Sequence, residues 1–282
     1  MSKLTTTREA IARLVRDGDR ISAACGLEAR IPFSAGHEIV RQNKRDLTLL
    51  GPISDTLYDQ LVGAGCARAI EAAWIGNVGA GLGHNFRRAV EATPAQINVT
   101  DYSNLTYATG LRAAAEGVPF GVTRSLFGTD MAHQSTAFRE LTDPFTGQSV
   151  FAVRAIHVDV AIIVAQRCDE NGNAQIWGNL GTTLESARAA DRVLVIAEEL
   201  ADDASTRKHP NRTVIPGLLV DAVVIEPGAA HPSPVEGYEE RDHAFFESYH
   251  RATRTVDGWN AWRREWIDEL PDRAAYLTKL GR

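Results

Sequence analysis

Long apolar runs are missing from this 282-residue chain. No uninterrupted stretch approaches the ~20 residues that a membrane-crossing helix needs, so no membrane association is expected. Cysteine is scarce: Cys25, Cys66 and Cys168 lie far apart, with no CxxC and no histidine pair at ligand spacing. Neither a disulfide framework nor a metal site is therefore expected, and the thiols read as reduced and cytosolic. Basic clusters are absent as well. With 30 Lys and Arg against 36 Asp and Glu the net charge is −6, and nothing in the pattern tracks a phosphate backbone, which excludes nucleic acid as an expected partner. The first twenty residues mix Arg8, Arg13 and Arg16 with Glu9 and Asp17 and lack an apolar signal core, so a cytoplasmic location is expected. The common catalytic signatures are missing too: there is no GxSxG elbow, Walker loop, HExxH, or GxGxxG between a strand and a helix.

What is present is the composition of a globular protein, 44% hydrophobic and 23% charged, enough to bury an interior without disulfides or metal. Residues 5–16 place Ala10, Ile11, Leu14 and Val15 on one helical face, Asp17-Gly18-Asp19 breaks the pattern, and 20–25 reads as a buried strand. The alternation recurs, with strands expected at 46–51, 67–74, 96–99, 118–122, 158–164 and 192–197 and helices at 57–62, 82–91 and 105–116. Short apolar strands separated by helices imply βαβ crossovers, hence an α/β fold with a mostly parallel sheet and helices on both faces. Ala161-Ile162-Ile163-Val164-Ala165 has the continuous apolar character of a strand covered on both sides. One domain over residues 1–237 is expected, followed by a helical tail over 238–282. Phe245, Phe246, Tyr249, Trp259, Trp262 and Trp266 mark that tail as packing on the core or on a partner.

Ligands of open parallel sheets bind at the carboxyl ends of the strands, where four segments are expected. In the first, 26–32, backbone amides could hold a carboxylate or thioester oxygen near Gly26, and Arg30 could add a charge-assisted bond, although a plain strand-to-helix turn reads the same. The second runs from Gly76 through Asn77, Gly79 and Gly81 to His84; its glycines allow close approach of a ligand, and the helix that follows presents an amino end that favours anions. The third is Asp101-Tyr102-Ser103-Asn104, where Asp101 is a candidate acid and one polar residue would cap the next helix. In the fourth, 124–130, Arg124 could bind a carboxylate or pair on the surface. His84 and His157 read as core or hairpin histidines without a metal role. Asn171-Gly172 between two strand-like runs signals a hairpin with a tight type I′ turn.

Taken in order, these segments resemble the alpha subunits of class I, glutaconate-type CoA-transferases. The resemblance is carried by Ala73-Trp74-Ile75-Gly76-Asn77-Val78-Gly79, His84-Asn85-Phe86-Arg87-Arg88, Asp101-Tyr102-Ser103-Asn104, Val118-Pro119-Phe120 with Gly128-Thr129-Asp130, and Gly172-Asn173-Ala174-Gln175-Ile176-Trp177-Gly178. Ile215-Pro216-Gly217 and Glu226-Pro227-Gly228-Ala229-Ala230-His231-Pro232 follow in the family's order. Ala24-Cys25-Gly26 stands where the family has Gly-Gly-Phe, and Arg30 where it has a glycine. The resemblance implies a beta-chain partner in an α2β2 assembly, with a glutamate of the beta chain as nucleophile. Coenzyme A would enter as part of the acyl-CoA substrate, with a carboxylic acid as the other reactant and no permanently bound cofactor. Asn77, Gly79, Gly81, Ser103, Asn104 and Arg124, with Gly26 and Arg30, would line the acyl pocket. The same resemblance admits a CoA-ester decarboxylase or a ring-opening CoA-ester hydrolase, and the fold alone also admits a non-catalytic binding or regulatory chain. Glu170-Asn171-Gly172 copies the core of the transferase nucleophile motif, but Asp169 precedes it and Asn173 follows, so hairpin geometry is expected to account for it.

Overall fold

Continuous runs of β-branched and small apolar residues need cover on both faces, and in the computed structural model they lie side by side at the centre of one sheet. The structure describes residues 2–23 and 25–282; Ala24, part of the expected first strand, and Met1 lie outside the described residues. In chain order the strands are β1 (Arg20–Ser22), β2 (Leu47–Ile53), β3 (Ala67–Trp74), β4 (Gly76–Asn77), β5 (Gly81–Leu82), β6 (Asn98–Asp101), β7 (Phe120–Thr123), β8 (Phe138–Thr142), β9 (Ser149–Arg154), β10 (Val158–Cys168), β11 (Ala174–Gln175), β12 (Ala190–Leu200), β13 (Thr213–Ile215) and β14 (Ala222–Ile225). The parallel sheet has the order β14-β12-β10-β1-β2-β3-β6, with β11 and β13 added antiparallel beside β10.

β10 shows how the layers form. Its residues 160–165 are at most 2% exposed; Val160, Ile162 and Val164 enter the core on one face, while Ala161, Ile163 and Ala165 enter the core on the other. The first face is covered by α1 (Thr7–Leu14), α2 (Phe33–Arg41), α3 (Thr56–Gly63) and α4 (His84–Glu91). Helices α5 (Asn104–Ala115), α6 (Met131–Gln134) and α7 (Thr183–Ala189) lie with the second core, and α8 (Asp203–Lys208) follows β12.

Several expectations are corrected. The strand expected at 118–122 is β7, and it belongs to a separate three-stranded antiparallel sheet with β8 and β9; β8 offers no apolar run, and the four-residue run Val150-Phe151-Ala152-Val153 of β9 is not among the expected strands. The residues of β7 alternate between exposed and half-buried, the mark of a strand covered on one face only. The first strand ends at Ser22 rather than at residue 25, and the one expected at 96–99 begins at Asn98. The helix expected from residue 82 starts at His84, because Gly81 and Leu82 pair with Gly76 and Asn77 in a small hairpin.

The aromatic tail forms α9 (His243–Ala252), α10 (Val256–Arg263) and α11 (Arg273–Lys279). Phe245, Phe246, Tyr249, Trp259, Trp262 and Tyr276 are all buried in the first core, with Tyr249 edge-on to Trp262 at 4.8 Å. These side chains complete this chain's own interior, which removes them as candidates for an interface between chains. A polar clasp closes the tail. Neutral His231, fully buried, donates to Asp242 at 3.0 Å and accepts from the Tyr276 hydroxyl at 2.9 Å, while Arg273 donates to the carbonyls of Gly228 and His231. Burial holds the pKa of both His37 and His231 below 6.5, with Arg273 adding to it and Asp242 opposing it at His231. The unfolded chain therefore takes up protons near 6.5 that the folded chain refuses, and stability present above that value is lost as pH falls through it. Urea unfolding is expected to show a lower free energy at about pH 5.5 than at about pH 7.5, by up to ~1.4 kcal/mol per unit for each histidine. His37→Asn should flatten that slope, and an unchanged slope would contradict the assignment.

Candidate functional site

Strand order runs outward from β1 to β6 on one side and from β10 to β14 on the other, so the topological switch lies between β1 and β10, where open α/β sheets bind ligands. The turn after β1 fills this crevice. Gly26 is required there, since a Cβ would sit 2.5 Å from the Ala29 carbonyl, and Leu27 and Arg30 hold φ of 61° and 54°. Arg30, at 3% exposure, turns inward: it donates to Glu236 at 3.0 Å, to the Trp177 carbonyl at 3.3 Å and to the Asn179 carbonyl. Burial lowers its pKa and Glu236 restores part of the loss. Gln166 completes the cluster by donating to the Trp177 carbonyl and accepting from the Trp177 amide. Arg30 thus holds the loop after β11 and offers no charge-assisted bond outward. Gly26 and Arg30 build the crevice wall from behind.

After β3 the glycine segment folds as the β4–β5 hairpin. Asn77, 1% exposed, faces the interior: its amide donates to the Phe246 carbonyl at 2.7 Å and its oxygen accepts from the Gly79 and Ala80 amides at 3.1 and 3.2 Å. Gly79 and Gly81 are exposed at the tip. The amino end of α4, expected to favour an outside anion, already has one. Asp59 of α3 accepts from the Phe86 amide at 2.7 Å, and from Asn85 at 3.1 Å and the Tyr249 hydroxyl at 2.5 Å.

Residues not singled out in the sequence hold this region in place. Asp55, wholly buried after β2, has φ 47° and ψ −136°, a conformation that costs about 1–3 kcal/mol in a non-glycine residue. Its carboxylate accepts from the Val78 amide at 3.2 Å and pairs with Arg241, so β2, the glycine hairpin and the approach to α9 meet on one side chain. Burial raises its pKa and Arg241 opposes the rise. Three of the described non-glycine residues with positive φ, Leu27, Arg30 and Asp55, thus sit at the carboxyl ends of β1 and β2. The sequence signal was faint, no more than a Ser-Asp pair after an apolar strand.

After β6, Ser103 caps α5: its hydroxyl accepts from the Thr106 amide at 3.1 Å and the Thr106 hydroxyl accepts from the Ser103 amide at 2.8 Å. Asn104 is exposed in the first turn, and Asp101 is exposed at the edge of a cleft of about 590 Å³ lined also by Ala73, Thr100, Met131, Gln134 and Ser135. Tyr102 lies buried beneath, its hydroxyl pushed up to about 12 by burial. Arg124 does not follow a parallel strand; it continues β7 of the antiparallel sheet and donates to Gln148 at 2.7 Å.

The Asn171-Gly172 hairpin forms, but its loop is five residues long, from 169 to 173, instead of a two-residue type I′ turn. Asp169 gathers it, accepting from the Asn171 and Asn173 amides at 3.0 and 2.9 Å. Glu170 is exposed on this loop. His84 opens α4 and lies 4.5 Å from the ring of His250, while His157 is exposed ahead of β10 and so belongs to neither core nor hairpin. Among the described residues no group of three or more His, Cys, Asp or Glu could hold a metal, and no helix is long and apolar enough to cross a membrane.

A family model described as coenzyme A transferase matches residues 4–226. The chain is 38% identical to the A subunit of the 3-oxoadipate CoA-transferase of Pseudomonas knackmussii, over all of this chain and 99% of that one. It is 34% identical to the A subunit of the glutaconate CoA-transferase of Acidaminococcus fermentans, over all of this chain and 92% of that one. The crystal structure of the latter enzyme superposes with a TM-score of 0.95, covering 99% of this chain and 93% of that one. The decarboxylase AibA/AibB superposes with a TM-score of 0.80 at 26% identity, covering 93% of this chain and 98% of that one.

Proposed function

The chain belongs to the coenzyme A transferase family, and we propose that it is one of the two kinds of chain in an enzyme that moves CoA between an acyl-CoA and a carboxylic acid. The observation that carries this reading is likeness along the whole chain to two proteins named as transferase A subunits. Both are named for short dicarboxylic acids, so the acyl group proposed here is of that class.

In this reading a glutamate carboxylate of the partner chain attacks the thioester carbonyl. The tetrahedral adduct collapses with loss of the CoA thiolate to a mixed anhydride, and the thiolate then attacks the glutamyl carbonyl and releases the donor acid. The acceptor carboxylate reverses both steps. This chain would contribute the wall of the acyl site: the exposed tip at Gly79 and Gly81, the Asp101 and Asn104 rim of the cleft, and amides that face the developing oxyanion. Asn77, Ser103 and Arg30 would act from behind by fixing those segments. A cytoplasmic α2β2 assembly is proposed with it.

Decarboxylation is the second reading, favoured by the AibA/AibB likeness. The co-expressed pair, given dicarboxylic CoA esters with and without an acceptor acid, separates the two. Transfer predicts a new CoA ester only when acceptor is present and none from the isolated chain. Carbon dioxide released without acceptor would establish the decarboxylase reading instead, and free CoA without acceptor would establish hydrolysis.

A further inference from the structure

The three-stranded antiparallel sheet has one face that the core uses and one that it leaves. Val122 of β7 stands opposite Ala152 of β9, which stands opposite Arg139 of β8; Phe120 pairs with Arg154, and Leu141 with Val150. Strand alternation therefore sets Phe138, Phe151 and Val153 on the inner face, where they are at most 4% exposed. Phe120, Val122 and Leu141 go to the outer face, where they are 42%, 57% and 39% exposed. The β8–β9 hairpin adds Phe145, 94% exposed, at its tip. Four large apolar side chains on one small sheet are more than scattered surface residues.

The charges on this face share one sign. Arg139 is exposed between the apolar residues, and Arg124 continues β7 at the end of the face beside Gln148, whereas Arg154 turns its guanidinium to the hydroxyl of buried Tyr102. Among the described residues of these strands no acid accompanies them: Glu140 stands opposite Phe151 on the inner side, and the Asp143 carboxylate is turned to the Phe145 amide and the Thr146 hydroxyl. A second copy of the chain docking here about a two-fold axis would set two arginines against two arginines, which opposes self-association. A different chain that presents apolar side chains ringed by Asp and Glu satisfies both features.

We infer that the outer face of β7, β9 and β8 is the surface on which the partner chain docks, with Phe120, Val122 and Leu141 at its apolar centre and Arg124 and Arg139 as its charged rim. The inference rests on the two-chain reading proposed above. It adds to that reading which surface is used and what chemistry the partner must show. It also gives Arg124 a place other than the substrate wall.

The test uses the chain co-expressed with the second transferase chain encoded beside it, followed by light scattering and titration binding. Val122→Asp and Arg139→Glu, each at an exposed position outside the proposed substrate site, should raise the dissociation constant at least about tenfold with unchanged circular dichroism and urea midpoint. Wild-type association should weaken as salt rises. Leu218→Asp, at an exposed apolar residue elsewhere, should assemble like wild type. Both face variants assembling like wild type would overturn the surface assignment while leaving the two-chain reading intact. A wild-type pair that fails to associate would overturn the two-chain reading itself. An isolated chain that dimerises and loses that dimer in Val122→Asp would assign the face to a second copy and overturn the occupant named here.

Discussion

Asp55→Ala is expected to destabilise the chain by about 3–5 kcal/mol, the cost of removing one partner of a buried ion pair, and to abolish transfer by the assembled enzyme. The side chain is wholly buried and holds Arg241 and the Val78 amide. Its loss leaves the guanidinium over the Phe246 ring without its carboxylate and frees the hairpin tip from β2. The positive φ remains, so the strain is no longer opposed by any contact of the side chain. Asp55→Asn keeps an oxygen for Val78 and should fall between the two. Equilibrium urea unfolding measures the loss, and an Ala variant as stable and as active as wild type would show that Asp55 does not organise the site.

Gly79→Val should act on turnover alone. A Cβ at Gly79 would meet nothing closer than the Asn77 side-chain oxygen at 3.7 Å, and its φ is not left-handed, so the fold tolerates the change. The branched side chain would stand on the exposed hairpin tip assigned to the acyl wall. A fall of at least about tenfold in kcat/KM is expected, ~1.4 kcal/mol of transition-state stabilisation, with an unaltered melting temperature. Gly79→Ala should lose less. Full activity in the Val variant would move the acyl site away from the hairpin and towards the Asp101 cleft.

The sheet was legible because its strands are short, mostly apolar segments between helices; 67–74 coincides with β3, and the burial of 161–165 follows directly from composition. β8 was not, since Phe138-Arg139-Glu140-Leu141-Thr142 buries only one residue and offers no apolar run, and β9 was missed because its run Val150-Phe151-Ala152-Val153 is only four residues long. The aromatic tail was legible as helices but not as core, because amphipathic aromatics read alike whether the apolar face meets this chain or another. The segments expected at the carboxyl ends of β1, β3 and β6 do follow those strands. The roles within them were not legible. Asn77 and Arg30 are polar residues in glycine-rich turns, and sequence alone does not tell an inward side chain from an outward one. Asp55, Asp59, Glu236 and Arg241 act through contacts across more than a hundred residues of chain or through backbone strain, which no local pattern records.

In the proposed reaction the covalent chemistry belongs to the other chain. Glu170 is the residue here whose local sequence copies a nucleophile, yet it is exposed on a loop organised by Asp169, and among the described residues nothing bonds its carboxylate. The direct measurement is borohydride trapping of the assembled enzyme after addition of acyl-CoA without acceptor, followed by peptide mass spectrometry of both chains. Reduction of a glutamate in the partner chain, none in this one, and nearly full activity in Glu170→Ala are expected. A reduced glutamate at position 170, with activity lost in a folded Glu170→Ala variant, would contradict that assignment.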